Sequence, residues 1–194
     1  VRQAGAGLGA LGKMVSSCML QVLLFAMFYT FTVLSSKDQA MRGQCDKPVE
    51  KNLRFGVAPD WEMANTICCH NTKYAEPSGY FHSSRVNLFS RFKPEESSHT
   101  FYDSVCGIPL FIAPRGRTMA EWTAESYEHG WPSFRPEEVV QENIVVMPGG
   151  EVRSVCGTHL GHNIPDDKGA RYCIDLACIA GMPRIGTHLE PHRH

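Results

Sequence analysis

The sequence predicts a mainly β domain whose short antiparallel strands close on themselves, with one or two short helices. β-rich runs recur along the second half of the chain, separated by Pro and Gly, at residues 108–113, 143–147, 151–155 and 171–179. Such regular spacing between turn residues is typical of closed β architectures. Residues 53–100 are interrupted by turn residues every few positions, so we expect short strands and loops there rather than long helices.

One segment of the second half has the pattern of an α-helix. It runs from Met119 to His129. Thr118 can cap its first turn, and Glu121 stands three residues later at the partner position of a capping box. We therefore place the helix at these residues.

Size and charge narrow the class of protein. The 194 residues suit one modest domain plus a terminal segment. Lys and Arg number 19 against 20 Asp and Glu, and the basic residues are scattered. Because nucleic-acid binding usually requires a clustered basic excess, we expect no nucleic-acid partner.

The N-terminal region contains an apolar run without charge, from Met14 to Ser36. Its almost wholly hydrophobic part, Met19 to Leu34, lies in length between the apolar region of a secretory signal and the roughly 20 residues of a transmembrane helix. Residues 1–40 are thus expected to hold a signal peptide or membrane anchor and a linker, with cleavage left open. A buried core helix is disfavoured because the run has no polar face. We expect a location in the secretory pathway, at a membrane or in another organelle.

Cys173 has the surroundings of a nucleophile. Arg171 lies two residues before it, and a nearby cation favours the thiolate. His159 and His162 stand three apart around Gly161, which suits a tight turn that points both rings into one pocket. A structural cysteine with two surface histidines explains the same spacing, so the residues alone leave both interpretations open.

Five sequence blocks in a fixed order favour the first interpretation. They are Cys106–Phe111 (CGIPLF), His129–Phe134 (HGWPSF), Glu151–Arg153 (EVR), Gly157–His162 (GTHLGH) and Gly169–Ile174 (GARYCI). The pattern resembles the methionine-R-sulfoxide reductase family. That resemblance implies a β-tent (Mss4-like) catalytic domain at 101–184, a lead-in segment at 41–100 packed on it, and a flexible tail at 185–194.

The resemblance also implies roles for individual residues. Cys173 matches the nucleophile, which becomes a sulfenic acid as methionine is released. His159 and His162 match the pair that positions the substrate and protonates its oxygen, and Arg171 matches the residue that supports the thiolate. Trp131 matches the wall against the substrate methyl group. A thioredoxin-like or small-thiol reductant, a monomer and no cofactor are implied, with free or protein-bound methionine sulfoxide as substrate.

The chain departs from the family at its substrate and resolving positions. Asp175 occupies the substrate-binding position where the family usually has Asn, and a carboxylate there would raise the pKa of the thiol. His129 occupies the position of a common resolving cysteine. Resolution then falls to an outside thiol or to another cysteine of the chain; among the latter we rank Cys68 and Cys69 first, then Cys178.

A further departure concerns zinc. The chain has eight cysteines and no C-x-x-C pair, whereas many family members bind a structural zinc through two such pairs. Cys106 and Cys156 remain from these pairs, while Asp103 and Arg153 replace the other two ligands. We therefore expect no structural zinc but an Asp103–Arg153 ion pair with a Cys106–Cys156 disulfide, or else two free thiols.

Two other classes of function stay open at this point. A β-tent binding module without turnover would explain Asp175 and the absent resolving cysteine. A thiol redox partner is disfavoured by the lack of C-x-x-C. Reduction of methionine-R-sulfoxide is the leading hypothesis.

Overall fold

The computed structural model describes residues 45, 48–49, 61–70, 72–93 and 96–180. The apolar run at 14–36 and the tail at 185–194 lie outside the described residues. Within the described ranges, none of the helices has the length and hydrophobicity needed to cross a bilayer.

Two antiparallel sheets form the framework. Their eight strands are β1 (His99–Asp103), β2 (Pro109–Ala113), β3 (Ser133–Phe134), β4 (Ile144–Val146), β5 (Glu151–Ser154), β6 (His159–Asn163), β7 (Tyr172–Ile174) and β8 (Ile179–Ala180). One sheet has the order β2-β1-β8, and the other has the order β3-β7-β6-β5-β4. The predicted mainly β fold with antiparallel sheets and short helices is confirmed.

The helices are short. They are α1 (Trp61–Asn65), the π-helix Thr66–His70, α2 (Met119–His129) and 3₁₀ turns at Tyr80–His82, Leu88–Arg91, Pro136–Glu138, Gln141–Asn143 and Leu176–Cys178. α2 has the predicted bounds. The Thr118 hydroxyl accepts the Glu121 backbone N–H at 3.2 Å, and the Glu121 carboxylate accepts the Thr118 N–H at 2.7 Å.

Two sequence predictions of secondary structure are wrong. Over the described residues from 61 to 98 the predicted short strands are wrong, because the buried apolar residues of this stretch lie on short helical turns. The predicted loops and the lack of long helices in this stretch are confirmed. Residues 171–179 do not form one strand: β7 ends at Ile174, and a 3₁₀ turn separates it from β8. The other three predicted runs contain β2, β4 and β5.

Aromatic rings fill the core and join the helices to the sheets. Phe111 stacks on Phe134 at a centroid distance of 4.3 Å, and Phe101 meets Phe134 edge-on at 5.3 Å. Trp122 of α2 packs on both Phe101 and Phe134, and Phe89 contacts the same tryptophan at 5.0 Å. Edge-to-face pairs of this kind add to the energy of apolar burial. The segment at 72–93 therefore shares one core with the sheets.

Candidate active site

Cys173 lies in the middle of β7, between β3 and β6. It pairs with Ser133 on one side and His162 on the other, and His162 pairs in turn with Glu151 on β5. Residues directly opposite one another in antiparallel strands project from the same face. The sheet thus places Cys173, His162 and Glu151 in one row.

Gly161 allows the strands to approach closely. The predicted tight turn at this glycine is wrong: Gly161 lies inside β6, with φ +141°. A Cβ added there would lie 2.1 Å from the backbone oxygen of Cys173, so β6 could not pair with β7 as it does. A glycine is required here because β6 contacts the backbone of β7 at Cys173, and not because the chain turns.

A β-bulge brings the two histidines together. Between Val152 and Arg153 the register of β5 with β6 shifts, so that His159 and His162, three residues apart, have ring centroids 5.5 Å apart. Without an extra residue, side chains at this spacing would point to opposite faces. The expectation that the rings share one site is met by a bulge.

The two rings have different environments. His162 is exposed, whereas His159 is 2% exposed and has its Nδ1 2.8 Å from Glu151 Oε1. Burial lowers the pKa of His159 despite the hydrogen bond and charge of Glu151. Of the two, His162 is therefore the ring that is open to solvent.

Arg153 holds Glu151. Its Nε donates to Glu151 Oε1 at 2.7 Å and its Nη2 donates to Oε2 at 2.8 Å. Burial acts to raise the pKa of Glu151, but the hydrogen bonds from Arg153 and His159 outweigh it, and the pKa is lowered. Glu151 is thus an ionised acceptor for His159.

The predicted Asp103–Arg153 ion pair is consequently wrong. Asp103 is fully buried, and its Oδ1 accepts the backbone N–H groups of Val105 at 2.7 Å and Cys106 at 2.9 Å. Asp103 therefore closes a turn, while Arg153 serves the histidine site. The opposite charges at these positions have separate partners.

The Cys173 thiol is protonated at neutral pH in this structure. Burial raises its pKa to about 11. The charge and hydrogen bond of Arg171 act in the opposite direction, and the negative charges of Asp175 and Glu76 add to the rise. The expectation that Arg171 would lower the pKa of Cys173 gives the right direction for that residue, but burial is the larger effect.

Arg171 is itself buried beside the site. Its Nε lies 3.4 Å from Asp166 Oδ2, and its backbone N–H donates to Asn163 Oδ1 at 3.2 Å. These contacts fix the turn that joins β6 to β7. They hold the guanidinium near the Cys173 sulfur.

Glu76 is a site residue that the sequence did not reveal. Its side chain is 1% exposed, and its carboxylate accepts the backbone N–H groups of Leu176 at 2.9 Å and Ala177 at 2.7 Å. Its backbone N–H donates to Asp175 Oδ1 at 3.1 Å, and its carbonyl accepts Trp131 Nε1–H at 3.2 Å. One residue thus joins Trp131, Asp175 and the 3₁₀ turn after the nucleophile.

Asp175 is buried close to Cys173. Only 3% of its side chain is exposed, and Oδ2 lies 3.7 Å from His159 Nε2. Burial raises the pKa of Asp175 to about 7, with the Glu76 N–H acting against it. Asp175 and Cys173 are two residues apart on extended backbone, so their side chains leave the same face.

Several curated proteins named peptide methionine sulfoxide reductase MsrB are similar to this chain. That of Variovorax paradoxus (strain S110) is 31% identical over 121 residues, which cover 55% of this chain and 83% of the relative. That of Pseudomonas putida (strain KT2440) is 32% identical over 104 residues, or 48% of this chain and 73% of the relative. A comparison with models of protein families gave no match. The chain belongs to the MsrB family.

The described cysteines of this chain form three disulfides. Disulfides join Cys45 to Cys69, Cys68 to Cys178, and Cys106 to Cys156. The predicted Cys106–Cys156 bond is present. In the part of the chain that the structure describes, Cys173 is the cysteine outside a disulfide. The suggested resolving residues Cys68, Cys69 and Cys178 are therefore bonded elsewhere in this state.

The donors present do not fit the zinc site implied by the family resemblance. Asp103, Cys106 and Cys156 place their ligand atoms within 4.8 Å of one another, but the two sulfurs are bonded together. Arg153 stands at the fourth position and cannot bind a metal. A tetrahedral zinc site needs four nitrogen, sulfur or oxygen ligands, and these residues do not supply them. The Cys106–Cys156 disulfide lies where the resemblance implies a metal site.

Proposed function

We propose that this protein reduces methionine-R-sulfoxide, free or in peptides, to methionine through Cys173. The observation that carries the proposal is the pairing of Cys173 with the exposed His162 on adjacent strands, in a chain of the MsrB family. A nucleophile and a proton carrier at directly opposed positions are what sulfoxide reduction requires. The preference for the R epimer is proposed from the family resemblance.

The raised pKa of Cys173 determines how the first step proceeds. The resting sulfur carries a proton, which His162 accepts as the sulfur attacks the sulfoxide sulfur. The imidazolium then gives that proton to the oxygen. The S–O bond of the substrate breaks, the oxygen is transferred to Cys173, and methionine departs. Cys173 is oxidised to sulfenic acid and the substrate is reduced, so thiol plus sulfoxide yields sulfenic acid plus thioether.

Trp131 is proposed to hold the substrate methyl group. Its indole N–H is already bonded to the carbonyl of Glu76, so the ring has apolar area rather than a hydrogen bond to offer a ligand. An S-methyl group is recognised by such area. Glu76 therefore positions the aromatic wall as well as Asp175.

The sulfenic acid is proposed to be resolved by an outside thiol, either a small thiol or a thioredoxin-like protein. The disulfides of Cys68, Cys69 and Cys178 support this route, because none of the three offers a thiol to Cys173. Mass spectrometry after one turnover without reductant tests it. Dimedone labelling of Cys173 is expected, whereas a new disulfide from Cys173 to one of these residues would show internal resolution.

The disulfides also support a compartment. Such bonds persist in oxidising surroundings, so we propose that the protein works in the secretory pathway or at a membrane facing it. Fractionation of cells with an antibody against residues 96–180 would test this. Recovery of the protein in the cytosol with free thiols at these positions would contradict it.

An assay of both epimers tests the activity itself. With dithiothreitol as reductant, the protein should convert the R epimer of free or peptide methionine sulfoxide to methionine and leave the S epimer unchanged. Asp167→Asn, an exposed change outside the site, is the control for expression and folding. A protein that binds the sulfoxide but releases no methionine would be a binding module instead.

A further inference from the structure

The His159 ring lies between two carboxylates. Its Nδ1 is 2.8 Å from Glu151 Oε1, and its Nε2 is 3.7 Å from Asp175 Oδ2. His159 and Asp175 are almost fully buried. Because bulk water hardly reaches either group, the protonation of each depends on its partners within the site.

The partners fix the tautomer of the ring. Glu151 is ionised and held by Arg153, so it accepts a hydrogen bond and Nδ1 must carry the hydrogen. In a neutral ring Nε2 then has a lone pair, and it faces Asp175 Oδ2. If Asp175 were ionised as well, two acceptors would face each other in a buried gap.

Among the described residues, no Lys or Arg forms an ion pair with Asp175. Its Oδ1 accepts the Glu76 backbone N–H, and the nearby Glu76 carboxylate caps the 3₁₀ turn. Arg171 directly precedes β7 and is paired with Asp166. Within the described ranges, the ion-pair partner of Asp175 is His159.

We propose that Asp175, facing the Nε2 lone pair of His159, is un-ionised in the resting protein below neutral pH, and that it acts as a positioning residue whose ionisation opposes the ionisation of Cys173. The part of this inference that concerns turnover rests on the proposed function. The protonation of Asp175 itself is a property of the resting protein.

Two features of the site explain the consequence for Cys173. Burial raises the pKa of Asp175 to about 7, so this carboxyl loses its proton near neutral pH. Its loss adds a negative charge beside Cys173, and the charge of Asp175 raises the pKa of that thiol. As the pH rises, Cys173 should therefore ionise less readily than an isolated thiol would.

The Asp175→Asn variant tests this, because it keeps the shape of the side chain and removes its charge. Iodoacetamide alkylation of Cys173 is followed by mass spectrometry from pH 5.5 to 8.5, with Asp167→Asn as the matched control. The ratio of the variant rate to the wild-type rate should rise from about 1 at low pH to about three- to tenfold at pH 8.5. The control ratio should stay near 1 throughout.

Infrared difference spectra supply a second measurement. Wild type minus Asp175→Asn should show the carbonyl band of an un-ionised carboxylic acid at pH 5.5, which disappears above neutrality. A flat alkylation ratio, or a carboxylate band at pH 5.5, would overturn the inference. If neither protein forms methionine while the ratio still rises, the inference about the protonation of Asp175 stands and the proposed function fails.

Discussion

The five-stranded sheet and the turn at residues 72–82 contribute to one site in different ways. The sheet carries the proposed reacting groups, Cys173 and His162, in a row set by strand pairing. The turn carries Glu76, which holds the indole of Trp131, the carboxyl of Asp175 and the start of the 3₁₀ turn. Reacting groups thus depend on register within one sheet, whereas their support comes from a segment about 100 residues away.

The largest effect on turnover is expected at Cys173. Cys173→Ser replaces the sulfur with a far weaker nucleophile and should lower the rate by at least about 10³-fold. The measurement is methionine release by chromatography. Because serine is close in size, thermal unfolding should be little changed. Retention of activity in this variant would show that the sheet does not carry the nucleophile at Cys173.

The next largest effects are expected at the two histidines, whose alanine variants should differ in their rescue by imidazole. His162→Ala should lower turnover by about 10²- to 10⁴-fold and be partly rescued by added imidazole, because the position is exposed. His159→Ala should also lower the rate but not be rescued, since that ring is buried between carboxylates. Rescue of His159→Ala alone would reverse the assignment of the proton carrier.

A variant of Glu76 tests whether the turn at residues 72–82 supports the site. Glu76→Gln places an amide donor against two backbone N–H groups, so at least one of them loses its partner. We expect about a tenfold loss of turnover and a destabilisation of roughly 1–3 kcal/mol, measured by urea unfolding. Glu142→Gln, an exposed change, is the matched control. Unchanged kinetics would show that the turn contributes only to folding.

The smallest effects on turnover are expected from the disulfides, and they distinguish the two regions. Cys68→Ala with Cys178→Ala removes the bond that ties the segment before the turn to the 3₁₀ turn, and should lower turnover severalfold. Cys106→Ala with Cys156→Ala should leave it within about twofold. Both pairs should reduce stability by about 2–4 kcal/mol, seen in thermal unfolding. Equal rates for the two double variants would contradict the link between the segment and the site.

The same two regions explain how much could be predicted from the sequence. The capping residues of α2 lie next to it in the sequence, so its bounds could be predicted. Cys173, His162 and Trp131 lie inside the MsrB-like blocks, so the resemblance identified them as candidate site residues. The Cys106–Cys156 bond is predicted from the resemblance, which places both residues at positions of zinc ligands in the family. Glu76 gave no comparable signal, because its contacts at Leu176 and Ala177 have sequence separations of 100 and 101.

Other features could not be predicted because they depend on neighbours in space. Gly161 looks like a turn residue until the backbone of Cys173 lies against it. Arg153 looks like the partner of Asp103 until Glu151 is found beside it. The pKa of Cys173 was expected to follow its neighbour in sequence, Arg171, but burial raises it. Charge pairing and desolvation are tertiary properties, so a motif cannot supply them.

The protonated state of Cys173 has a consequence for the survival of the protein. Hydrogen peroxide and related oxidants react with thiolates far faster than with thiols. A sulfur that is protonated at neutral pH is thereby less open to the reagents that oxidise methionine. The high pKa of Cys173 then limits its irreversible oxidation.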